Sequence, residues 1–268
     1  MIESINILFK IPVAGFYSPA FGRIMSQSFH RHTVRQHYKA LLLGILLLLT
    51  FFASPAQQIV IKFHHTANGK PLVLQDSSYT NPFGELYQLT RLKYYISHIG
   101  LAKKPESRVE LIEAGATDSI IMNPKAGNYS KLYFTLGVDS ALNNSGAQAG
   151  ALDPLNGMFW TWNSGYIFFK MEGYSTASAA DLNRIEHHVG GYLYPNNVAK
   201  NMVLDLPQPM HVKPADKKTI HVEMNLDHYW KGINDIKIAE QALLMTPGGL
   251  ALKAAENFTA MFSIKSIE

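Results

Sequence analysis

Histidine and tryptophan are the residue types in this sequence best suited to chemistry. Residues 57–268 contain eight histidines, which include the adjacent pairs His64-His65 and His187-His188. The sequence has no cysteine, which excludes disulfides, thiolate metal sites and a cysteine nucleophile. A site for a soft or borderline metal ion would therefore use imidazole, carboxylate or methionine ligands.

The position of each histidine on a strand limits what it can bind. Adjacent residues on a strand point to opposite faces, so each pair offers at most one ligand to a given face. In the second pair, Ile185 and Val189 place His187 on the apolar face, and His188 then shares the other face with Glu186. A metal site would need histidines from separate strands. The alternative is that each histidine is a hydrogen-bonded or solvent-facing side chain.

Two tryptophans, Trp160 and Trp162, end a long segment of small and polar residues at positions 139–164. Loops of this length in compact domains are usually functional or disordered, and we expect this one to be ordered and functional. If the chain is extended there, both indole rings point the same way. Such rings suit a hydrophobic core, a platform for stacking carbohydrate, or a shielded metal pocket.

Standard catalytic motifs are absent. The sequence contains no G-x-S-x-G, no H-E-x-x-H, no Walker loop and no G-x-G-x-x-G that opens a helix. No pair of carboxylates has the pattern of a glycosidase. We therefore expect a binding protein rather than an enzyme.

The elements that position these residues are predominantly strands. Runs of alternating apolar and polar residues, separated by turn signals such as Asn68-Gly69 and Asn156-Gly157, predict about nine strands. Strands at this spacing indicate an all-β fold, a single sandwich or barrel-like domain. Apolar residues at helical spacing after Gly248-Gly249 predict one C-terminal packing helix, and a shorter helical turn is expected at residues 227–231.

The first 56 residues form a leader. Residues 40–53 are a 14-residue apolar run, which is shorter than the roughly 20 residues of a membrane span. Basic residues precede this run and the small-residue segment Ala53-Ser-Pro-Ala56 follows it, which is the pattern of a signal peptide. We predict cleavage near Ala56 and a periplasmic or secreted mature protein that starts at Gln57. The alternative is an uncleaved N-terminal anchor.

Two further expectations concern domain organisation. Met25 lies at a better distance from the apolar run than Met1, so residues 1–24 are interpreted as an upstream start-site artefact. Residues 57–268 are predicted to form a single β domain without a stable membrane span. Their 19 basic and 19 acidic side chains balance, so the composition gives no support for a nucleic-acid-binding surface.

Several segments resemble the MbnP-like family, exported copper-binding proteins related to methanobactin-associated MbnP and CorA. The most specific of them is the Trp-x-Trp-x-x-Gly-Tyr block that ends at Tyr166. The matching segments are Phe63-His-His-Thr-Ala-Asn-Gly-Lys-Pro-Leu72, Leu92-Lys-Tyr-Tyr-Ile-Ser97, Phe134-Thr-Leu-Gly-Val-Asp-Ser140, Gly157-Met-Phe-Trp-Thr-Trp-Asn-Ser-Gly-Tyr166 and Glu186-His-His-Val-Gly-Gly191.

The resemblance implies a β-rich domain that holds one copper ion through histidines and a tryptophan oxidised to kynurenine. It implies that a partner di-haem enzyme of the cytochrome c peroxidase type makes this modification. The family positions correspond here to His65 and His188, with Trp160 and Trp162 as the candidates for oxidation. We expect His65 and His188 to approach each other near the two tryptophans.

The chemistry of the ligands agrees with this expectation. Imidazole suits copper, and kynurenine offers an amine nitrogen or a ketone oxygen where indole offers only a donor N–H. The leading hypothesis is therefore an exported copper-binding protein for acquisition, storage or delivery. Two alternatives stay open: a metal-free module that binds glycan or a partner through the tryptophans, and a copper-dependent redox enzyme.

Overall fold

The computed structural model describes Lys39 and residues 57–105, 107–161 and 165–268. The predicted leader, apart from Lys39, lies outside the described residues, as does Trp162. The cleavage site and the domain boundary at residue 57 stay predictions.

Alternating apolar residues make most of this chain extended, because period-2 patterns give each strand one buried face. In β1, for example, Ile59, Ile61 and Phe63 are buried while the residues between them are partly exposed. Within the described residues there are fourteen strands. They are β1 (Gln58–Ala67), β2 (Lys70–Pro71), β3 (Ser78–Thr80), β4 (Leu86–Gly100), β5 (Val109–Glu113), β6 (Ser119–Met122), β7 (Gly127–Leu136), β8 (Phe159–Thr161), β9 (Gly165–Tyr174), β10 (Arg184–Gly190), β11 (Lys200–Val212), β12 (Lys217–Asn225), β13 (Leu243–Leu244) and β14 (Phe262–Ile267).

The strands form two sheets. The smaller sheet has five strands in the order β14-β12-β1-β2, with β6 also paired to β1. The larger sheet has nine strands in the order β11-β7-β4-β9-β10-β13, with β3 and β5 paired to β4 and β8 paired to β9. Strands β1 and β12 run parallel, whereas the pairs along β7, β4, β9 and β10 are antiparallel.

The two sheets pack face to face through aromatic rings. Phe63 of the smaller sheet makes edge contacts with Tyr94 and Phe134 of the larger sheet, at centroid distances of 6.1 and 6.3 Å. All three rings are buried. The described residues form an open sandwich and no closed barrel, so the predicted all-β sandwich is confirmed.

Four α-helices accompany the sheets in the described residues. They are α1 (Ser140–Asn144), α2 (Asp227–Trp230), α3 (Ile238–Gln241) and α4 (Gly249–Met261). The apolar face of α4 is buried, and its Phe258 ring lies 5.2 Å from Phe169 of the larger sheet. The predicted packing helix and the turn at residues 227–231 are therefore confirmed. No helix among the described residues is long and apolar enough to cross a membrane.

Candidate metal centre

His188 projects from the outer face of the nine-stranded sheet. Alternation along β10 buries Ile185, His187 and Val189 and sends His188 to the other face, as the sequence predicted. The antiparallel register places His188 opposite Lys170 of β9. The Nε2 atom of His188 lies 2.8 Å from Oε1 of Glu172, two residues further along β9.

Glu172 determines which nitrogen of a neutral His188 ring donates a hydrogen bond. The hydrogen bond from His188 lowers the pKa of Glu172 to about 2, and Lys170 and Arg91 add to this effect against the opposing influence of burial. The carboxylate is therefore ionised at neutral pH and can only accept, so Nε2 of neutral His188 donates. The other ring nitrogen, Nδ1, then carries a lone pair. A carboxylate behind an imidazole is the arrangement that orients histidine ligands in metal sites.

Lys170 connects this histidine–carboxylate pair to the tryptophan segment. Its Nζ atom lies 3.1 Å from Oε1 of Glu172 and donates to the carbonyl oxygen of Gly157 at 2.9 Å. Gly157 comes three residues before Trp160. The Lys170 ammonium group therefore links the residues just before β8 to the Glu172 carboxylate that bonds His188.

The indole of Trp160 lies against the backbone of β10. A Cβ atom at Gly190 would stand 2.7 Å from Cζ3 of Trp160 and 2.6 Å from the carbonyl oxygen of Tyr166, so only glycine fits there. Gly190 is two residues from His188 on β10, and the pairing of β10 with β9 shifts register between Val189 and Gly190. The structure thus places the Trp160 indole against β10 at Gly190, two residues along the strand from His188.

The long segment before the tryptophans is ordered by buried hydrogen bonds. The Tyr166 hydroxyl donates to the carbonyl oxygens of Gly146 and Leu152, at 3.0 and 2.8 Å. The Asn143 side-chain oxygen accepts from the backbone N–H of Tyr166 at 3.0 Å. Because Gly165 has a positive φ of 73° and a Cβ there would meet Asn143, glycine is required at this turn.

His65 occupies a different environment, between the two sheets. Its Nε2 atom is hydrogen bonded to the Tyr94 hydroxyl at 2.9 Å, and the two rings pack edge to face at 5.7 Å. Burial lowers the pKa of His65 to about 4, so the ring is neutral at physiological pH. Its partner Tyr94 is fully buried in the sandwich.

The expected approach of His65 to His188 is not found. Across the larger sheet, Tyr94 pairs with Phe169 and Phe169 pairs with Val189, so these three side chains share the inner face. His188 precedes Val189 and therefore points outward, whereas His65 contacts Tyr94 on the inner side. The sheet itself separates the two imidazoles.

The described residues include three of the four predicted ligands, His65, His188 and Trp160. Trp162 lies outside the described residues, so its position relative to His188 stays a prediction. Among the described residues, no group of three or more His, Cys, Asp and Glu side chains is arranged to hold a metal ion. A metal ion at His188 would therefore need a further donor of another kind.

Sequence reasoning missed Glu172 and Lys170. The signal was present, because Lys170 and Glu172 alternate with buried Phe169 and Met171 along β9 and so share one outer face. Which outer-face charges stand beside His188 depends on the pairing of β9 with β10, which the sequence does not reveal.

His187 makes its hydrogen bonds within the core and has no nitrogen left for a metal ion. Its Nε2 donates to the carbonyl oxygen of Gln241 at 2.6 Å, and its Nδ1 lies 2.6 Å from the Tyr229 hydroxyl. Both ring nitrogens are therefore occupied. Burial lowers the pKa of His187 to about 4, so it stays neutral within the core.

The comparisons with known proteins agree with the sequence resemblance. A family model described as MbnP matches residues 56–247, well over half of the chain. The chain belongs to the MbnP family. No curated protein matches the sequence.

One solved structure has a similar fold, MbnP from Methylosinus trichosporium. It superposes with a TM-score of 0.50 at 15% sequence identity, over 79% of this chain and 98% of the other. At this identity the likeness shows the fold alone. The MbnP match spans all four predicted site residues and ends before helix α4 and strand β14.

Proposed function

We propose that this protein is an exported copper-binding protein of the MbnP family, with its copper site at His188 and the tryptophan segment. Its role is acquisition, storage or delivery of copper rather than catalysis. The observation that carries the proposal is the orientation of His188, whose Nε2 is held by ionised Glu172 while Trp160 packs on the same strand at Gly190, two residues away.

His188 fits copper as a first ligand. Imidazole is a ligand that copper favours, and Glu172 leaves the Nδ1 lone pair of His188 free to bind. Unmodified indole cannot complete the site because its N–H only donates. Oxidation of Trp160 or Trp162 to kynurenine would supply an amine nitrogen or a ketone oxygen. His65 is not part of this site.

The modification requires an oxidising partner. We assign this role to a di-haem enzyme of the cytochrome c peroxidase type, following the sequence resemblance. Export by a signal peptide cleaved near Ala56 places both proteins in the periplasm or outside the cell. N-terminal sequencing of exported protein is expected to start at Gln57 or within a few residues of it, and retention of residues 41–52 would contradict this.

Metal analysis of protein purified from its native host tests the copper site. We expect stoichiometric copper in the parent protein and none in His188→Ala, which should also melt at a lower temperature because His188 is buried and its hydrogen bond to Glu172 is lost. The control is His211→Ala, which removes an exposed histidine bonded only to Asn128 among the described residues. Copper retained in His188→Ala contradicts the proposal, and metal-free parent protein favours the glycan- or partner-binding alternative.

Mass spectrometry of the peptide that contains Trp160 and Trp162 tests the modification. The expected result is the mass gain of a tryptophan-to-kynurenine conversion at one of the two positions. Phe substitution at the modified position should abolish tight copper binding, and Phe at the other should leave it. If both Phe variants bind copper as the parent does, tryptophan has no part in the site.

The carboxylate behind His188 should tune copper affinity. Glu172→Gln leaves a neutral group that no longer fixes the ring tautomer, and loss of such a partner typically weakens metal binding about 10–100-fold. A competition titration against a copper chelator measures the change. Glu240→Gln is the matched control, because Glu240 is exposed on α3 and pairs with Lys237. Equal affinities of Glu172→Gln and the parent would remove Glu172 from the site.

A further inference from the structure

A row of three uncharged side chains crosses the outer face of the nine-stranded sheet. Ser78 of β3 pairs with Gln88 of β4, and Gln88 pairs in turn with Tyr174 of β9. Residues that pair directly across neighbouring strands lie on the same face of a sheet. Because Tyr87 and Leu89, on either side of Gln88, are buried in the core, the row lies on the outer face.

This row is part of a groove of about 230 Å³. The turn that carries Leu182 and Asn183 forms one wall, and every residue that lines the groove is uncharged. Arg184, which pairs with Tyr174 from β10, has its Nη1 atom 3.0 Å from Oε1 of Glu186. A charged ligand would therefore lose hydration in the groove without gaining an unpaired counter-charge. The lining thus selects a neutral ligand.

Three large apolar side chains remain exposed around the groove. The exposed fractions are 50% for Leu86, 48% for Tyr174 and 82% for Leu182. Leu182 and Asn183 both have a positive φ, of 59° and 54°, which non-glycine residues seldom adopt. The backbone N–H of Ser175 donates to the carbonyl oxygen of Asn183 at 2.8 Å, which holds this turn beside the sheet. Exposed apolar surface that gathers at a preformed groove is typical of a ligand site.

The groove also carries hydrogen-bonding groups that the protein itself does not use. Among the described residues, the side chains of Ser78, Thr176 and Asn183 have no hydrogen-bond partner. The Gln88 amide nitrogen donates to the carbonyl oxygen of Gln75, which leaves the Gln88 amide oxygen to accept. Uncharged donors and acceptors therefore line the same groove as the half-exposed aromatic ring.

We propose that this groove binds a neutral sugar, with one pyranose ring stacked on Tyr174 and its hydroxyl groups hydrogen bonded to the uncharged side chains around it. A pyranose has an apolar face of C–H groups and a rim of hydroxyls that donate and accept. This chemistry matches an aromatic ring bordered by amide and hydroxyl groups. The groove is smaller than the roughly 300–1,000 Å³ of sites for drug-sized ligands, so it holds a single ring.

This site is separate from the proposed copper site. His188 pairs with Lys170 of β9, which is four residues from Tyr174 and therefore roughly 13 Å away along the strand. Glu172, which bonds to Arg91 and to His188, lies between them on β9. The two sites share no residue, so each is testable without the other.

Saturation-transfer difference NMR of the full chain tests the proposal. The probes are D-glucose, D-galactose, D-mannose and N-acetyl-D-glucosamine, each added alone at millimolar concentration. We expect at least one of them to receive saturation on its C–H protons, and Tyr174→Ala to weaken its binding at least tenfold. The control is Tyr133→Ala, which should bind as the parent does. Tyr133 alternates with buried residues on β7, so it lies on the outer face of the same sheet but outside the groove.

Leu182→Gly gives a second readout that leaves the aromatic ring in place. Glycine adopts the positive φ of residue 182 freely, so this variant should stay folded while it loses an apolar wall and binds the sugar more weakly. The proposal is overturned if none of the sugars receives saturation, or if either variant binds as Tyr133→Ala does. It is also wrong if gel filtration shows a dimer that Tyr174→Ala abolishes, because the groove is then an interface between two copies of the chain.

Discussion

At the scale of single residues, neighbouring histidines have different chemistry because consecutive side chains on a strand face opposite ways. His187 uses both nitrogens within the core. His188 uses one nitrogen on Glu172 and keeps the lone pair of the other. The first pair repeats this division, since His65 bonds to Tyr94 inside the sandwich and His64 meets His221 outside. The alternation of side chains along each strand thus determines which imidazole of a pair lies on the outer face of its sheet.

Glu172 should make the folded state depend on pH in the acid range. Its pKa falls from 4.5 to about 2 on folding. A depressed carboxylate pKa stabilises the folded protein above the unfolded value, and this contribution is lost as the pH falls from about 4.5 towards 2. After allowance for solvent screening it is of the order of 2 kcal/mol. Glu172→Gln should therefore have a lower free energy of unfolding than the parent at pH 7, and the difference should vanish near pH 2.

Urea unfolding at a series of pH values measures this difference. Glu240→Gln serves as the control, since its exposed pair with Lys237 on α3 contributes little at any pH. If the difference in free energy of unfolding between Glu172→Gln and the parent stays constant from pH 7 to pH 2, the carboxylate charge is not what stabilises the fold.

The sequence predicted which face of a strand each side chain occupies better than it predicted which residues lie beside that side chain. Period-2 patterning correctly placed His187 inside and His188 outside. It could not place His65 relative to His188, because that depends on which sheet each strand joins. Strand β1 joins the smaller sheet and β10 the larger, and this pairing arises from contacts distant in sequence. The hydrogen bond between His188 and Glu172 depends likewise on the pairing of β10 with β9, which is distant in sequence.

At the scale of elements, strand β8 is positioned by close packing on β10. Gly190→Ala would place a Cβ within 2.7 Å of Trp160 and 2.6 Å of the Tyr166 carbonyl oxygen. Because backbone cannot move away cheaply, we expect a loss of about 1–3 kcal/mol in stability. Displacement of Trp160 should also change tryptophan fluorescence and weaken copper binding.

The matched control is Gly249→Ala, since a Cβ at Gly249 meets nothing within 4 Å. Thermal unfolding and fluorescence spectra of the two variants should differ clearly. If Gly190→Ala melts and fluoresces as the parent does, Trp160 does not pack on β10 as described.

The segment before β8 is held by the hydroxyl of Tyr166. Tyr166→Phe removes hydrogen bonds to the carbonyl oxygens of Gly146 and Leu152 and leaves both without this donor. We expect a loss of about 1–3 kcal/mol and faster amide exchange around residues 146–152. Hydrogen-exchange mass spectrometry measures this local change. Tyr129→Phe is the control, because its hydroxyl bonds to Lys125 at an exposed turn and should alter neither exchange in the segment nor stability.

The elements found from sequence are those with long regular patterns. The alternating runs that predicted about nine strands correspond to long strands such as β1, β4, β7 and β12, and helix α4 was predicted from the residues after Gly248-Gly249. Strand β14 was missed because it begins at Phe262 immediately after α4, with no glycine, proline or asparagine to mark the change. The short strands β2, β3, β6, β8 and β13 have two to four residues, too few to show a period.

At the scale of the whole molecule, the C-terminal segment joins the two sheets. Helix α4 packs on the larger sheet, where Phe258 contacts Phe169. Strand β14 then pairs with β12 in the smaller sheet, and Phe262 touches Phe63 and Phe134 between the sheets. This segment lies beyond residue 247, where the family match ends. The fold thus depends on residues outside the matched region.

Phe258→Ala should therefore weaken the whole sandwich rather than one end of it. Phe258 is fully buried, between Phe169 of β9 and Tyr229 of α2. Truncation of a buried phenylalanine costs about 3–5 kcal/mol. Chemical unfolding followed by far-ultraviolet circular dichroism and by tryptophan fluorescence should show one shared transition, moved to lower denaturant. Thr259→Ala, on the exposed side of the same helix, should leave the midpoint unchanged. Separate transitions for the two probes in Phe258→Ala would mean that α4 stabilises only its own surroundings and does not join the sheets.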